Sequence, residues 1–207
     1  LAPAWLPTCH LPKIMRALPQ NWQSNCATNA HIPAYARHLP AKGGHVIVCW
    51  SLKGGSGTTV VSAALALTLA QRNNAAVRIV DLAGDIPSAL GIAEPSGEGV
   101  INWLQQQQRE PIQSLQIPVT ARVSLIPRGN GSLMHHDLTS EHCNTLATEL
   151  DTSNELTVVD AGSGHIPQLI NNATTSLLVI RPCYLALRKA AHLSVKPHGI
   201  VLINEPG

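Results

Sequence analysis

The sequence predicts an α/β domain over residues 45–207, a mostly parallel sheet with helices on both faces. Three observations carry that expectation. Short apolar runs of strand length recur with helix-like segments between them, the alternation that builds a parallel sheet. The 207 residues include no Phe, so the core must be made of Val, Ile, Leu and Ala, which suits strands buried on both faces. A glycine-rich turn, Gly54 to Gly57, separates the first apolar run from the first helix-like segment, where open α/β sheets bind their ligands.

Residues 1–44 read differently. Six prolines, from Pro3 to Pro40, interrupt them with scattered Trp5, Trp22 and Tyr35. Nothing there sustains a period beyond a helical turn around Lys13–Leu18, and the segment reads as Pro-rich and poorly ordered. From His45 the pattern changes. His45–Trp50 is a first strand, and Thr58–Gln71 is apolar on nearly every side, which predicts a buried helix stopped at Asn73-Asn74. Val77–Asp81 is the second strand. Val100–Gln107 reads as a helix with Trp103 inward and the Gln run at a solvated end. Val123–Ile126 is a strand, Thr139–Leu150 a helix and Leu156–Asp160 another buried strand. Ser176–Arg181, a helix from Tyr184 to Leu193, and the strand Gly199–Ile203 complete the series. The chain stops just after a strand, which predicts a domain whose C-terminal part lies beyond this sequence.

Bulk composition narrows the classes. A net charge of +2, with only 13% charged residues, gives no electrostatic case for nucleic acid or a membrane surface. No apolar run approaches the ~18 residues needed to span a bilayer, and the prolines break up any leader-like stretch at the start. Cys9, Cys26, Cys49, Cys143 and Cys183 are an odd, irregularly spaced set, read as reduced thiols of a cytoplasmic protein. Met134-His135-His136-Asp137 with His142-Cys143, and likewise Cys9-His10, Cys26 and His31, match no zinc spacing. Arg181 and Arg188 read as solvent-facing.

The candidate site is the glycine turn. Gly54, Gly55 and Gly57 allow backbone angles closed to other residues and a close approach of backbone to an anion. The amides from Gly57 to Thr59 are free at the helix start and, with the helix dipole, favour phosphate. The Thr59 hydroxyl is placed to ligate Mg²⁺. Two acids close buried strands, Asp81 and Asp160, and an Asp after four apolar residues suits a carboxylate that holds Mg²⁺ through its water shell.

The run Lys53-Gly54-Gly55-Ser56-Gly57-Thr58-Thr59 resembles the deviant Walker-A motif of the ParA/MinD family of ATPases, K-G-G-x-G-K-[ST]. Val80–Gly91, Leu156–Gly164, Ser176–Ala190 and Gly199–Asn204 continue the likeness in family order, so that it covers most of residues 45–207. The resemblance implies a P-loop fold, ATP or ADP with Mg²⁺ as ligands, and a cytoplasmic homodimer when nucleotide is bound. It implies a switch in chromosome partitioning or division-site positioning that acts with a protein partner. It leaves nucleoid, membrane and protein surfaces equally open. By position, Lys53 matches the signature lysine that reaches the partner subunit's phosphates. Gly54, Gly55, Ser56, Gly57, Thr58 and Thr59 match the phosphate cradle, Asp160 with Thr59 the Mg²⁺ site, and Asn204 a base contact. With Lys53 and Asp160, Asp81 completes the candidate catalytic set.

Two positions depart from the motif. Its second lysine is Thr58, and its water-orienting Asp is Ala83, with Asp85 two residues further on. Slow or weak hydrolysis is therefore expected, and a pseudo-ATPase interaction module is the first alternative. A second is a nicotinamide-dependent oxidoreductase, because Gly55-Ser56-Gly57 followed by Asp81 mimics a dinucleotide fingerprint, although Val60 stands at the third glycine's place.

Overall fold

The computed structural model describes residues 44–133, 137–153, 155–164 and 166–203. The Pro-rich segment before Gly44, the tract Met134–His136 and Asn204 lie outside the described residues, as do Cys9, Cys26, His10 and His31.

Among the described residues a seven-stranded sheet forms, in the order β3-β4-β2-β5-β1-β6-β7. The strands are β1 Val46–Trp50, β2 Val77–Asp81, β3 Ile117–Pro118, β4 Val123–Ile126, β5 Leu156–Asp160, β6 Thr175–Ile180 and β7 Gly199–Leu202. Every neighbouring pair is parallel except β3–β4, so the expected architecture is the observed one. The helices are α1 Thr58–Asn73, α2 Ile86–Leu90, α3 Val100–Gln105, α4 Ser140–Thr152, α5 Pro167–Asn172 and α6 Tyr184–Ala191. A 3₁₀ turn spans Ile112–Leu115.

Alternate strand residues face opposite sides, and they divide the core in two. Cys49, Ile79 and Val158 pack with Ala63, Ala66 and Leu69 of α1 and Ile86 of α2. Val48, Trp50, Val80 and Val159 pack on the other side with α3, α4, α5 and Ala186 of α6. β5 lies between β1 and β2. A dinucleotide-binding sheet, ordered 3-2-1-4-5-6, keeps those two strands adjacent, so the topology speaks against the oxidoreductase alternative.

Several boundaries differ from the sequence expectations. The helix α1 is not buried all round: Val60 is 61% exposed and Ala64 is open to solvent, while Ser62, Ala66 and Ala70 face the sheet. Alanine and threonine cost little to expose, so low polarity alone did not identify the outer face. The helix ends at Asn73, with Asn74 left-handed at φ 51° as its cap. The α3 helix stops at Gln105, two residues early, and the glutamines beyond it are irregular. Trp103 does point inward, and its indole N–H donates to the Glu110 carbonyl at 2.7 Å. Thr139 caps α4 instead of starting it, its hydroxyl accepting from the His142 amide. The His142 ring nitrogen in turn accepts from the Thr139 amide at 3.3 Å, a capping role for one member of the His-rich tract. The strands β6 and β7 each end one residue early, and α6 ends two residues early, at Ala191.

The short α2 and α5 have no counterpart among the sequence expectations. Each carries proline in its first turn, Pro87 and Pro167, where a missing N–H costs nothing. Helices of five and six residues are too short to leave an apolar period that a sequence pattern can reveal.

Candidate phosphate-binding site

The site lies where β1, β2 and β5 end side by side. The loop Ser51–Gly57 leaves the last residue of β1 and delivers the chain into α1. Its sharp course needs left-handed backbone at Gly55, φ 73°, and at Gly57, φ 85°, conformations that glycine adopts without a Cβ penalty. No side chain caps α1. The first intrahelical bond runs from the Val61 amide to the Gly57 carbonyl at 3.0 Å, so the amides before it are the unpaired donors of a helix start.

Hydroxyls hold the loop's shape. Ser56 donates to the Lys53 carbonyl at 2.9 Å. Ser51 also reaches that carbonyl, at 3.0 Å, and the Gly162 carbonyl at 3.1 Å, while its amide donates to Gly162 at 2.9 Å. The glycine loop is thereby tied to the loop after Asp160. Sequence reasoning passed over Ser51, because its partner is remote in sequence. Gly54 and Gly55 are exposed, Lys53, Gly57 and Thr59 are half-buried, and Thr58 is buried at 5% exposure.

Strand register brings the acids together. Asp160 lies opposite Cys49 on one side and Asp81 on the other, and both carboxylates are fully buried. Their surroundings differ. The Asp81 oxygens accept from the Gly84 amide at 2.6 Å and the Ile86 amide at 3.0 Å, which shapes the turn into α2. Burial nevertheless pushes Asp81 up to about 6, with the neighbouring Asp160 charge adding to the rise and the amides opposing it. One oxygen of Asp160 accepts from the Gly162 amide at 3.1 Å. The other, Oδ2, is buried without a hydrogen bond. Burial raises Asp160 as well; the Thr59 hydroxyl and Gly162 amide pull it back, and the Asp85 charge pushes it up. Asp85 is exposed at the start of α2. The buried Cys49 thiol, pushed up to about 12, stays protonated.

An unpaired carboxylate oxygen beside the Thr59 hydroxyl, at the mouth of an amide-lined loop, fits a hard divalent cation and its waters. The residues therefore suit Mg²⁺. The raised Asp81 has a consequence for the unliganded protein. Its folded pKa of about 6 exceeds the reference 3.8, so the protonated acid favours folding and that contribution fades as pH rises through 6. Stability read from urea melts is expected to fall by roughly 2 kcal/mol between pH 4 and 6.5, and Asp81→Asn should flatten the change.

Among the described residues no helix is long and apolar enough to cross a membrane, and Cys49, Cys143 and Cys183 are free thiols. No family model matches the chain, and no curated protein matches it in sequence. Solved structures do match its fold. A ParA family ATPase from Chlorobium tepidum TLS aligns with 77% of this chain and 72% of its own, at 18% identity and a TM-score of 0.58. The ATP complex of a McdA variant from Cyanothece aligns with 78% of this chain and 70% of its own, at 20% identity and a TM-score of 0.58. The VpsO kinase domain aligns with 79% of this chain and 86% of its own, at 23% identity and a TM-score of 0.61. By its topology and these likenesses, the chain has the P-loop α/β fold of the ParA/MinD-type ATPases.

Proposed function

We propose that the chain is a nucleotide-binding protein of the ParA/MinD kind, holding ATP or ADP with Mg²⁺ on the loop from Lys53 to Thr59. The observation that supports this best is the unpaired Oδ2 of Asp160 set beside Thr59 at the start of α1. The fold by itself names no activity, since it serves a ParA family ATPase and a kinase domain alike.

In this reading the amides of Gly54 to Thr59 cradle phosphate oxygens, and Thr59 and Asp160 hold the cation. Bound Mg²⁺ supplies charge neutralisation between phosphates. Lys53, half-buried in the loop, would reach a second subunit's phosphates. The Asn204 base contact remains part of the proposal. Dimerisation on nucleotide, a role in partitioning or division-site positioning, and slow turnover belong to the same proposal. Isothermal titration with Mg²⁺-ATP and with ADP tests it, and a folded chain that takes up neither at millimolar concentration sinks it.

A specific feature favours a non-hydrolysing variant of this reading. Thr58, at the motif's second lysine, is buried and uncharged. A charge-assisted hydrogen bond contributes roughly 1.5–3 kcal/mol. Thr58→Lys is therefore expected to tighten Mg²⁺-ATP binding by roughly ten- to a hundredfold. Adding Ala83→Asp should then raise phosphate release well above that of the parent. Substantial turnover by the unaltered protein would exclude the non-hydrolysing reading.

A further inference from the structure

A side chain completes the ladder between β6 and β7. The first strand pair is Leu177 with Gly199. One residue earlier, the His198 amide donates to the Ser176 carbonyl at 2.9 Å, and the Ser176 amide donates back to the His198 ring nitrogen Nδ1 at 3.0 Å. The imidazole thus accepts where a parallel ladder would offer a strand carbonyl. The Ser176 hydroxyl joins the same turn, accepting from the His198 amide at 3.2 Å and lying 2.9 Å from Nδ1. Ser176 is 1% exposed and His198 is exposed, so a buried amide depends on a ring that protons reach from solvent.

We propose that His198 is an acid-released latch on β7. An accepting Nδ1 is unprotonated, which places the neutral ring's proton on Nε2. In the imidazolium both nitrogens are donors. Nδ1–H can then turn to the Ser176 hydroxyl, but the Ser176 amide faces another N–H and loses its acceptor, and a buried donor left unpaired is costly. No acid stands by to hold the charged ring. β6 from Thr175 to Ile180 and α5 from Pro167 to Asn172 contain no titratable residue. α6 and the link from it to β7 bring the bases Arg188, Lys189, His192 and Lys196 and no acid. Across β6, the residue before β1 is His45. No ion pair among the described residues involves His198. β7 itself is four residues long and, among the described residues, pairs on one side only. Just past its end, the Ile203 amide donates to the Ile180 carbonyl at 2.8 Å, and the Ile203 side chain flanks Gly57, 3.7 Å from where a Cβ would stand. Acid therefore loosens β7 and, through Ile203, one flank of the phosphate loop. The inference concerns the unliganded chain and stands or falls separately from the proposed function.

Heteronuclear NMR and amide hydrogen exchange of the full chain test it. Neutral His198 is expected as the Nε2–H tautomer. From about pH 7.5 to about pH 5, across the usual range of an imidazole, protection factors at Ser176 and the β7 amides should fall about tenfold. Protection factors already exclude the intrinsic pH dependence of exchange. His198→Asn sets an amide oxygen near the place of Nδ1 and does not titrate, so its β7 protection should hold over the same range. His198→Ala should resemble the acidified parent at both ends of the range. The Asp81 contribution to stability runs the other way with pH, and comparison with His198→Asn cancels it. The proposal is overturned if neutral His198 is the Nδ1–H tautomer, or if His198→Asn loses protection in parallel with the parent. Protection in His198→Ala equal to that of the parent at neutral pH also overturns it.

Discussion

Asp160→Asn is expected to make the unliganded protein more stable and to abolish the effect of Mg²⁺ on nucleotide binding. Both halves come from one geometry. Asp160 is fully buried, one of its oxygens has no hydrogen-bond partner, and Asp81 lies beside it in register. Burial of an ionised carboxylate in that position costs more than the Thr59 hydroxyl and the Gly162 amide return, so its pKa is raised on balance. Asparagine keeps the oxygen that accepts from the Gly162 amide and removes the charge. The gain should be on the order of 1 kcal/mol at neutral pH. It should vanish in acid, where the wild-type carboxyl is already protonated, because burial raises its pKa. The cost appears with ligand. A carboxylate that steadies a cation through its water shell typically contributes ten- to a hundredfold in metal affinity, roughly. Titrating ATP into each protein with and without Mg²⁺ reads that factor, and urea melts read the stability. If the variant is less stable and keeps its Mg²⁺ dependence, Asp160 is a structural acid and the proposed cation site is wrong. An acid that destabilises its own fold is the trade expected of a binding site.

The fold was legible in the sequence because parallel strands buried on both faces leave runs such as Val77–Asp81 and Leu156–Asp160, which differ from everything around them. The glycine loop was equally legible, since left-handed angles at Gly55 and Gly57 call for glycine. Hidden features depended on contacts between residues far apart. Nothing local to Ser51 announces its bond to Gly162. Nothing in the α6 sequence shows that Arg188 and Lys189 stand across a groove from the loop at Leu52. Reading Arg188 as solvent-facing was right about exposure and silent about what it faces. Asp81 and Asp160 look alike as strand-end acids. The structure separates them, because Asp81 uses both oxygens on the amides of its own turn while Asp160 keeps one free.

The same kind of long-range contact sets the second large effect, at the opposite end of these strands. Arg78 in β2 is 1% exposed, a residue type seldom buried unless paired. Its Nε and Nη2 donate to the Thr157 hydroxyl at 3.2 and 2.8 Å, and Nη2 also donates to Ser153 at 2.6 Å. Nη1 lies 3.0 Å from the Glu155 carboxylate, which is itself 38% exposed. Burial lowers the Arg78 pKa and the charges of Glu155 and Glu149 oppose that shift, so the guanidinium depends on its neighbours. Glu155 is wet enough that its share is screened; the two hydroxyls are the critical partners. Thr157→Val keeps the shape of the side chain and strips two bonds from a buried charge. It should cost about 3 kcal/mol, read as a shifted urea midpoint with an unchanged slope. Arg78→Leu removes the charge together with its need for partners. Replacing a whole buried ionic group by an apolar one is often near neutral. The double variant Arg78→Leu with Thr157→Val should therefore be more stable than Thr157→Val alone. If the two losses simply add, the guanidinium is not held by Thr157, and solvent reaches it by a route the packing of β2 against β5 does not show.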